Sequence, residues 1–279
     1  MNNSMNDQDI GGWLEPVVEL AQLAGEKILE VYNSDEFSVQ EKDDKSPLTA
    51  ADLAAHHAIV AGLTALTPYI PVLSEESASL PFAERSSWKS YWLVDPLDGT
   101  REFIKRNGEF TVNIALIDHQ VPTLGVVHVP VTGVTYSGDV DRQIAMKETP
   151  EGRASVASRR LDRNAGGELI VVGSRRHGSE ALDALVSRLR TRFDAVQLTS
   201  MGSSLKLCLV AEGKADFYPR LAPTCEWDTG AAHAVVLAAG GAVLDEQFKP
   251  LRYNTKAELL NPNFFVIGDI QATWSELLS

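Results

Sequence analysis

The stretch that decides the fold is Trp92–Phe103, WLVDPLDGTREF. Its apolar first residues predict a buried strand that delivers Asp95 at its end, and Pro96 then fixes the direction of the backbone. Asp98 follows shortly afterwards, so we expect the two carboxylates to face the same point. The sequence therefore predicts a pair of converging anionic ligands at the end of a core strand.

The chemistry of this turn is that of hard oxygen ligands. Carboxylates without cysteine or clustered histidine favour Mg²⁺ or Mn²⁺ over Zn²⁺. Gly99 and Thr100 come next, where a helix can begin, and free backbone N–H groups at such a start suit a phosphate. Two ions bridged by a phosphate would stabilise both the attacking and the leaving oxygen of an in-line displacement. The turn thus predicts hydrolysis of a phosphate ester.

Three further acidic positions lie at the ends of predicted elements. Asp52 falls in the first turn of a helix, Glu75 follows a short strand, and Asp228 comes at the start of the last long helix. Each has an ordinary alternative: Asp52 as a helix cap, Glu75 as a solvated loop residue, and Asp228 as a charge that complements a helix N-terminus. A divided active site would use all three.

Bulk composition excludes some partners. A net charge of −13 over 279 residues argues against a nucleic-acid polymer or a generally anionic membrane as the partner. Two cysteines are too few for a disulfide framework, and we find neither a secretory signal nor an apolar run long enough to span a membrane. We expect a cytoplasmic protein. A homodimer and a loose association with the inner face of the membrane stay open.

The hydrophobic periodicity divides the chain into two lobes. Residues 1–150 carry a helix ending near Asn33, a second helix ending before Pro68, and an antiparallel meander, which predicts an α+β lobe. Residues 165–279 alternate strand and helix, which predicts an α/β lobe that contains Asp228. We expect residues 78–90 to form a loop, 144–146 an edge strand and 225–239 a continuous helix.

The motifs resemble a known superfamily. Three of them are similar to those of the inositol monophosphatase superfamily of Mg²⁺-dependent, lithium-sensitive phosphatases: Glu75 within Ser74–Glu76, Asp95–Thr100, and Trp227–Asp228 ahead of Ala239–Gly241. Four further segments resemble the bacterial 3′(2′),5′-bisphosphate nucleotidases: Ser46–Asp52, Phe103–Thr111, Gly202–Lys206 and Tyr218–Arg220. The resemblance covers nearly the whole chain in order. It implies a layered αβαβα sandwich of the sugar phosphatase type.

The resemblance also implies an activity and a metal set. These nucleotidases hydrolyse adenosine 3′,5′-bisphosphate to AMP and phosphate, which clears a by-product of sulfate assimilation. By the same resemblance two Mg²⁺ ions, with a third weaker one beside Glu75, would be held by Glu75, Asp95, the carbonyl of Leu97, Asp98 and Asp228.

Catalytic and substrate-binding roles follow from the same resemblance. Thr100 would orient the attacking water, Asp52 would accept a hydrogen bond from the Thr100 hydroxyl, and Glu75 would assist deprotonation. The metal ligands Glu75, Leu97, Asp98 and Asp228, together with Gly99 and Thr100, would contact the reacting phosphate. Candidates for the rest of the nucleotide are Ser203, Lys206, Arg220 and His177, the last within Ser174–His177, where Arg176 replaces a residue that is usually small.

Two alternatives remain at the level of sequence. An inositol or sugar phosphatase would share the metal centre, so only the segments from Ser174 to Arg220 would distinguish it from a nucleotidase. A non-catalytic nucleotide sensor would have a damaged metal set, whereas every expected ligand is present here. Activity on the sulfated nucleotide (PAPS to APS) and the preference between 3′ and 2′ phosphates stay open.

Overall fold

Two β-sheets carry the fold in this computed structural model, which describes residues 12–34, 39–41, 47–161, 167–173 and 180–278. The helices in these ranges are α1 Leu14–Tyr32, α2 Ala50–Leu66, α3 Phe82–Arg85, α4 Thr100–Ile104, α5 Glu180–Leu189, α6 Leu205–Ala211, α7 Gly230–Ala238 and α8 Trp274–Leu278, with a 3₁₀ helix at Glu75–Ser77. The strands are β1 Val39–Glu41, β2 Pro47–Thr49, β3 Val72–Ser74, β4 Ser90–Asp98, β5 Thr111–Asp118, β6 Val121–Val129, β7 Val134–Asp139, β8 Ile144–Thr149, β9 Gly152–Ser155, β10 Glu168–Gly173, β11 Ala195–Ser200, β12 Phe217–Arg220, β13 Ala242–Asp245 and β14 Phe264–Ile267.

The first sheet has the strand order β3-β4-β5-β6-β7-β8-β9. Strand β3 runs parallel to β4, and every later neighbour is antiparallel. The predicted meander is therefore confirmed. It is longer than expected, because β9 pairs with β8 and takes the edge position that we assigned to residues 144–146.

The second sheet has the order β11-β10-β12-β14-β13. Strand β10 runs parallel to both β11 and β12, while β12, β14 and β13 are antiparallel to one another. Alternation of strand and helix after residue 167 predicts this arrangement up to α7. The closing antiparallel pair follows the Gly240–Gly241 turn.

The two sheets and the helices form five layers. Helices α1 and α2 cover one face of the first sheet, where Ile28 and Ile59 pack with Trp92 and Ile114. Helices α6 and α7 lie between the sheets, and α5 and α8 cover the outer face of the second sheet. The α/β class and the helix-sheet-helix-sheet-helix layering predicted from the sequence are confirmed.

Helix α7 lies directly against the first sheet because glycines face it. A Cβ atom at Gly125 would lie 2.1 Å from the carbonyl oxygen of Ala231, and one at Gly138 would lie 2.7 Å from the Cα of Val235. Real Cβ atoms do not approach so closely, so a side chain at either position would push the helix away. These contacts fix the distance between α7 and the sheet that carries Asp95.

Two predicted boundaries are wrong, each for a physical reason. Residues 78–90 contain helix α3, which is anchored by the buried side chain of Arg85 on the side chain of Asn254 and on the carbonyl of Ala257. The last long helix begins at Gly230 instead of residue 225, because the Asp228 carboxylate binds the Cys225 N–H and the Thr224 hydroxyl and so closes a turn ahead of the helix.

Within the described ranges, no helix is both long enough and apolar enough to cross a membrane.

Candidate active site

Three carboxylates from distant parts of the chain meet between the two sheets. Ligand atoms of Asp95, Asp98 and Asp228 all lie within 4.8 Å of one another. Asp95 and Asp98 are provided by strand β4, whereas Asp228 comes from the turn before α7. The convergence predicted for the first two is present, and Asp228, which the family resemblance assigns to the same metal set, lies at the same point.

An irregularity in β4 brings its two carboxylates together. Asp95 pairs with Asn113 and Asp98 with Thr111, so the two residues of β4 between these pairs lie opposite a single residue of β5 and the register shifts there. Such a bulge redirects side chains that strict alternation would have placed on opposite faces. The N–H of Leu97 donates to Asp95 Oδ1 at 3.0 Å, which fixes the orientation of the buried carboxylate.

Asp98 is held by a segment that precedes α6. The backbone N–H of Ser204 donates to Asp98 Oδ2 at 2.7 Å. Desolvation by the surrounding protein and the charge of Asp228 raise the pKa of Asp98 to about 7, although the nearby Lys206 ammonium and the Ser204 N–H act in the opposite direction. Without a cation this carboxyl would be protonated for part of the time at neutral pH.

Asp228 is held within its own turn. One carboxylate oxygen accepts hydrogen bonds from the Thr224 hydroxyl and from the Cys225 N–H, the latter at 2.9 Å. Desolvation raises the pKa of Asp228, and these two hydrogen bonds together with the charge of Arg220 oppose that rise. The turn thus favours the ionised form of a carboxyl whose burial favours the neutral form.

The cluster fits a hard divalent cation. Its ligand atoms are carboxylate oxygens, the donors that Mg²⁺ prefers. Burial raises the pKa of Asp95 well above its usual range, and the charges of Glu75, Asp98 and Asp228 add to the effect. A bound cation would relieve this repulsion between neighbouring anions and replace the lost hydration.

The other two predicted acids lie beside this cluster. Glu75 opens the 3₁₀ helix directly after β3, whose last residue, Ser74, pairs with Val94 next to Asp95. It is not one of the three carboxylates within 4.8 Å of one another, but its charge raises the pKa of Asp95. Asp52 lies in the first turn of α2, is 1% exposed, and also raises the pKa of Asp95.

The turn after Asp98 has the predicted helix start. Gly99 has φ +92°, and α4 begins at Thr100. A Cβ atom at Gly99 would lie 2.5 Å from Ser203 Oγ, so both the conformation and the lack of space require glycine. Thr100 is partly exposed next to the acidic cluster.

A cavity of about 380 Å³ opens over the cluster. Asp98 and Asp228 lie in its wall, and it extends towards a group of cationic and aromatic side chains. These are Arg101, Lys105, Lys206, Tyr218 and Arg220. The cavity therefore combines a site for cations with nearby positive charges, which is a charge pattern that suits a ligand with more than one anionic group.

Three of the predicted nucleotide contacts line this cavity but already have partners. The Ser203 hydroxyl lies 2.8 Å from the Glu109 carbonyl and 3.0 Å from the Asp98 carbonyl. The Lys206 ammonium donates to the carbonyls of Met201 and Ser203. Burial lowers the pKa of Lys206 to about 8.

Arg220 is tied to its own loop. Its Nε donates to the carbonyl of Ala222 at 3.0 Å, and one terminal nitrogen donates to that of Pro223 at 2.7 Å. The predicted contact at His177, within 174–179, lies outside the described residues. Sequence reasoning did not single out Arg101 and favoured a solvated charged loop for Lys105, but both line the cavity. Lys105 directly follows α4, four residues after Arg101, and this spacing is a signal that they share a face.

Comparison with known proteins identifies the family of this chain. The model of the inositol monophosphatase family matches residues 12–275, so this chain belongs to that family. The 3′(2′),5′-bisphosphate nucleotidase CysQ of Escherichia coli O6:H1 is 51% identical over 254 residues, which cover 91% of this chain and 98% of that protein.

Solved structures agree as well. A crystal structure of CysQ from Bacteroides thetaiotaomicron superposes with a TM-score of 0.80 at 41% identity and covers 96% of this chain and 99% of that one. The inositol monophosphatase of Anabaena superposes with a TM-score of 0.70 at 23% identity over 96% of both chains, a likeness that concerns the fold alone.

Proposed function

We propose that this protein is a metal-dependent phosphatase that hydrolyses the 3′-phosphate of adenosine 3′,5′-bisphosphate to give AMP and phosphate. The observation that carries the proposal is the Asp95, Asp98 and Asp228 cluster, two of whose members line a cavity that is also lined by cationic side chains. The extent of the match to a named bisphosphate nucleotidase supports the choice of substrate.

The proposed metal is Mg²⁺, as two or three ions. Asp95, Asp98 and Asp228 are the first candidates for its ligands because their carboxylate oxygens already converge. We propose Glu75 and the carbonyl of Leu97 as further ligands. Bound Mg²⁺ would stabilise the negative charge on the phosphate oxygens and lower the pKa of the attacking water.

The residues around the turn have proposed roles in orientation and proton transfer. The backbone N–H groups of Gly99 and Thr100 would bind phosphate oxygens at the start of α4. The Thr100 hydroxyl would orient the attacking water, and Asp52 would accept the hydrogen bond from that hydroxyl. Glu75 would take the proton of the water, since its carboxylate lies near enough to Asp95 to raise the pKa of that group.

The second phosphate and the nucleoside would occupy the rest of the cavity. Lys206 and Arg220 would contribute positive charge while their hydrogen bonds to backbone carbonyls hold them in place. Ser203 would act through the shape of the loop, because its hydroxyl is directed at the carbonyls of Asp98 and Glu109. We keep His177 as a candidate contact. Arg101 and Lys105 join the proposal because they line the same cavity.

A substrate panel tests this function. Purified protein with Mg²⁺ should release phosphate from adenosine 3′,5′-bisphosphate far faster than from inositol 1-phosphate or fructose 1,6-bisphosphate. A faster rate on either of the latter two would replace the nucleotidase proposal with an inositol or sugar phosphatase. Nucleotide binding without any phosphate release would indicate a sensor. Including the sulfated nucleotide and adenosine 2′,5′-bisphosphate would define specificity.

Lithium offers a check on the proposed metal site. We expect Li⁺ to inhibit at fixed Mg²⁺, as the family resemblance implies, and the inhibition should be measured over a titration of both ions. Resistance to Li⁺ together with full activity would argue against the proposed arrangement of ions.

The remaining proposals concern setting and architecture. We propose a cytoplasmic location and a division into lobes at residues 1–150 and 165–279, although β9 extends the first sheet to Ser155. Both cysteines are free, and Cys208 is buried, which supports a reducing compartment. The alternatives of a homodimer and of a peripheral membrane contact can be tested by sedimentation and by binding to anionic vesicles.

A further inference from the structure

The segment Gly202–Ser204 connects the second sheet to α6 and lies against the turn that contains Asp98. The Ser204 N–H donates to Asp98 Oδ2 at 2.7 Å, and the Ser203 hydroxyl lies 3.0 Å from the Asp98 carbonyl. The Ser204 hydroxyl also lies 2.8 Å from Asn113 Oδ1, on the strand next to Asp98. This segment therefore sets the orientation of the Asp98 carboxylate from outside β4.

Glu109 fixes the same segment from its other side. Its Oε2 accepts the Gly202 N–H at 2.7 Å, and its carbonyl oxygen lies 2.8 Å from the Ser203 hydroxyl. A Cβ atom at Gly202 would lie 2.8 Å from Glu109 Oε2 and 2.9 Å from both the Cβ and the carbonyl oxygen of Glu109. The backbone at Gly202 therefore lies in close contact with Glu109 and leaves no room for a side chain.

The segment has a conformation that needs such support. Ser203 has φ +48°, a left-handed conformation that is unfavourable for a residue with a side chain. Strained positions persist when surrounding contacts determine them, and here those contacts come from Glu109 and the Asp98 turn. Loss of the Glu109 carboxylate would free the Gly202 N–H and leave Ser203 with fewer contacts to hold its conformation, so the hydrogen bond from the Ser204 N–H to Asp98 would weaken.

We propose that Glu109 is a positioning residue for the metal centre: by holding Gly202, it keeps the Ser204 N–H on Asp98 and so presets that carboxylate for the cation. The proposal rests on the proposed function only in assuming that the cluster binds Mg²⁺. Glu109 acts through Gly202, Ser203 and Ser204. Partners of this indirect kind typically change metal affinity by about 10- to 100-fold.

The test measures Mg²⁺ binding without substrate. The melting temperature of the protein is recorded over a Mg²⁺ titration, since a ligand that binds the folded state raises it in a concentration-dependent way. We expect Glu109→Ala to raise the half-saturating Mg²⁺ concentration by about tenfold. Glu109→Gln keeps an oxygen acceptor for Gly202 and should lie between Glu109→Ala and the wild type.

A matched control separates position from charge. Glu84→Gln makes the same chemical change as Glu109→Gln, but at an exposed residue of α3, and should leave the Mg²⁺ midpoint at the wild-type value. Gly202→Ala disturbs the same contact from the Gly202 side, because its Cβ would clash with Glu109, and should raise the Mg²⁺ midpoint as Glu109→Ala does. This variant also tests the proposal if Glu109→Ala fails to fold.

Two outcomes would overturn the proposal. One is a lower melting temperature with an unchanged Mg²⁺ midpoint in Glu109→Ala and Gly202→Ala, which would make the contact merely structural. The other is an equal shift in Glu84→Gln, which would make it a general charge effect. In the activity assay, the Glu109→Ala rate should recover to within a few-fold of wild type at saturating Mg²⁺. Because the thermal readout uses no nucleotide, failure of the substrate proposal would not alter its result.

Discussion

The two halves of the acidic cluster are held by different kinds of structure. Asp95 and Asp98 belong to β4, which is paired on both sides within a seven-stranded sheet. Asp228 lies in a turn, and the hydrogen bonds to its carboxylate come from Thr224 and Cys225 in the same turn. The backbone of one half is therefore fixed by sheet register, with Ser204 orienting the Asp98 carboxylate from outside the strand, and the other half is held by short-range contacts.

This difference teaches where the site is rigid and where it can be adjusted. Moving Asp95 would require shifting a strand whose register is set by many pairs along β4 and β5. Moving Asp228 requires the loss of two hydrogen bonds. Substitutions around Asp228 should consequently tune metal affinity, whereas substitutions in β4 should remove function or leave it intact.

The largest expected effect comes from Asp98→Asn. The change removes one anionic ligand and little volume, so we expect phosphate release to fall by about 100-fold or more. It is measured as the rate of phosphate release from adenosine 3′,5′-bisphosphate at several Mg²⁺ concentrations. Near wild-type turnover would contradict the role of Asp98.

The stability of the metal-free Asp98→Asn protein provides its control. The pKa of Asp98 is about 7 in the folded protein, above the ordinary value of 3.8. The folded state therefore binds this proton more strongly, so the contribution of Asp98 to metal-free stability is largest at low pH and is lost as the pH rises from about 4 to about 7. Asparagine should reduce this slope, measured by chemical unfolding, and the variant should be no less stable than wild type at pH 7.

A smaller effect on activity is expected from Thr224→Val, which tests whether the turn around Asp228 can be adjusted. The variant loses the hydroxyl that donates to Asp228 but keeps the Cys225 N–H. We expect the Mg²⁺ concentration for half-maximal activity to rise by about tenfold, with recovery at high Mg²⁺. Thr191→Val, at an exposed site after α5, is the matched control. A loss of rate that Mg²⁺ does not restore would indicate that this half is as rigid as β4.

Local patterns in the sequence predicted much of the fold and the centre of the site. Apolar runs and turn residues give the meander and the later alternation, because these signals depend on neighbouring residues. The Asp95–Asp98 turn is equally local. Its acids are brought together by a bulge whose position the sequence marks with Pro96.

What the sequence could not predict depends on contacts between remote segments. Helix α3 is anchored by Arg85 on Asn254, and Asp98 is oriented by Ser204; each pair is far apart in sequence. The late start of α7 has a local cause, the two hydrogen bonds that Asp228 accepts within its own turn, and it was missed because aspartate equally suits the first turn of a helix. Sequence periodicity contains no information on these partners.

The smallest effect on activity is expected from Glu212→Gln, at a contact between the end of α6 and the first sheet, away from the cluster. Glu212 follows α6, and its carboxylate accepts from the Tyr136 hydroxyl at 3.0 Å and from the Lys147 ammonium at 2.7 Å, both in the first sheet. Glutamine keeps an acceptor but loses the charge opposite Lys147. We expect a loss of about 1–3 kcal/mol in the free energy of unfolding, measured with urea, and an unchanged Mg²⁺ midpoint.

The Glu212→Gln variant tests whether the turn around Asp228 holds its carboxylate independently of contacts elsewhere in the protein. If Asp228 is held by its own turn, weakening the contact between α6 and the first sheet should lower the free energy of unfolding and leave the acidic cluster intact. A raised Mg²⁺ midpoint would mean that the packing of α6 on the first sheet, and not the Thr224 and Cys225 hydrogen bonds, sets the position of Asp228. Lys147→Met, which removes the same ion pair from the other side, should reproduce the stability loss, because the contact belongs to the pair and not to Glu212 alone.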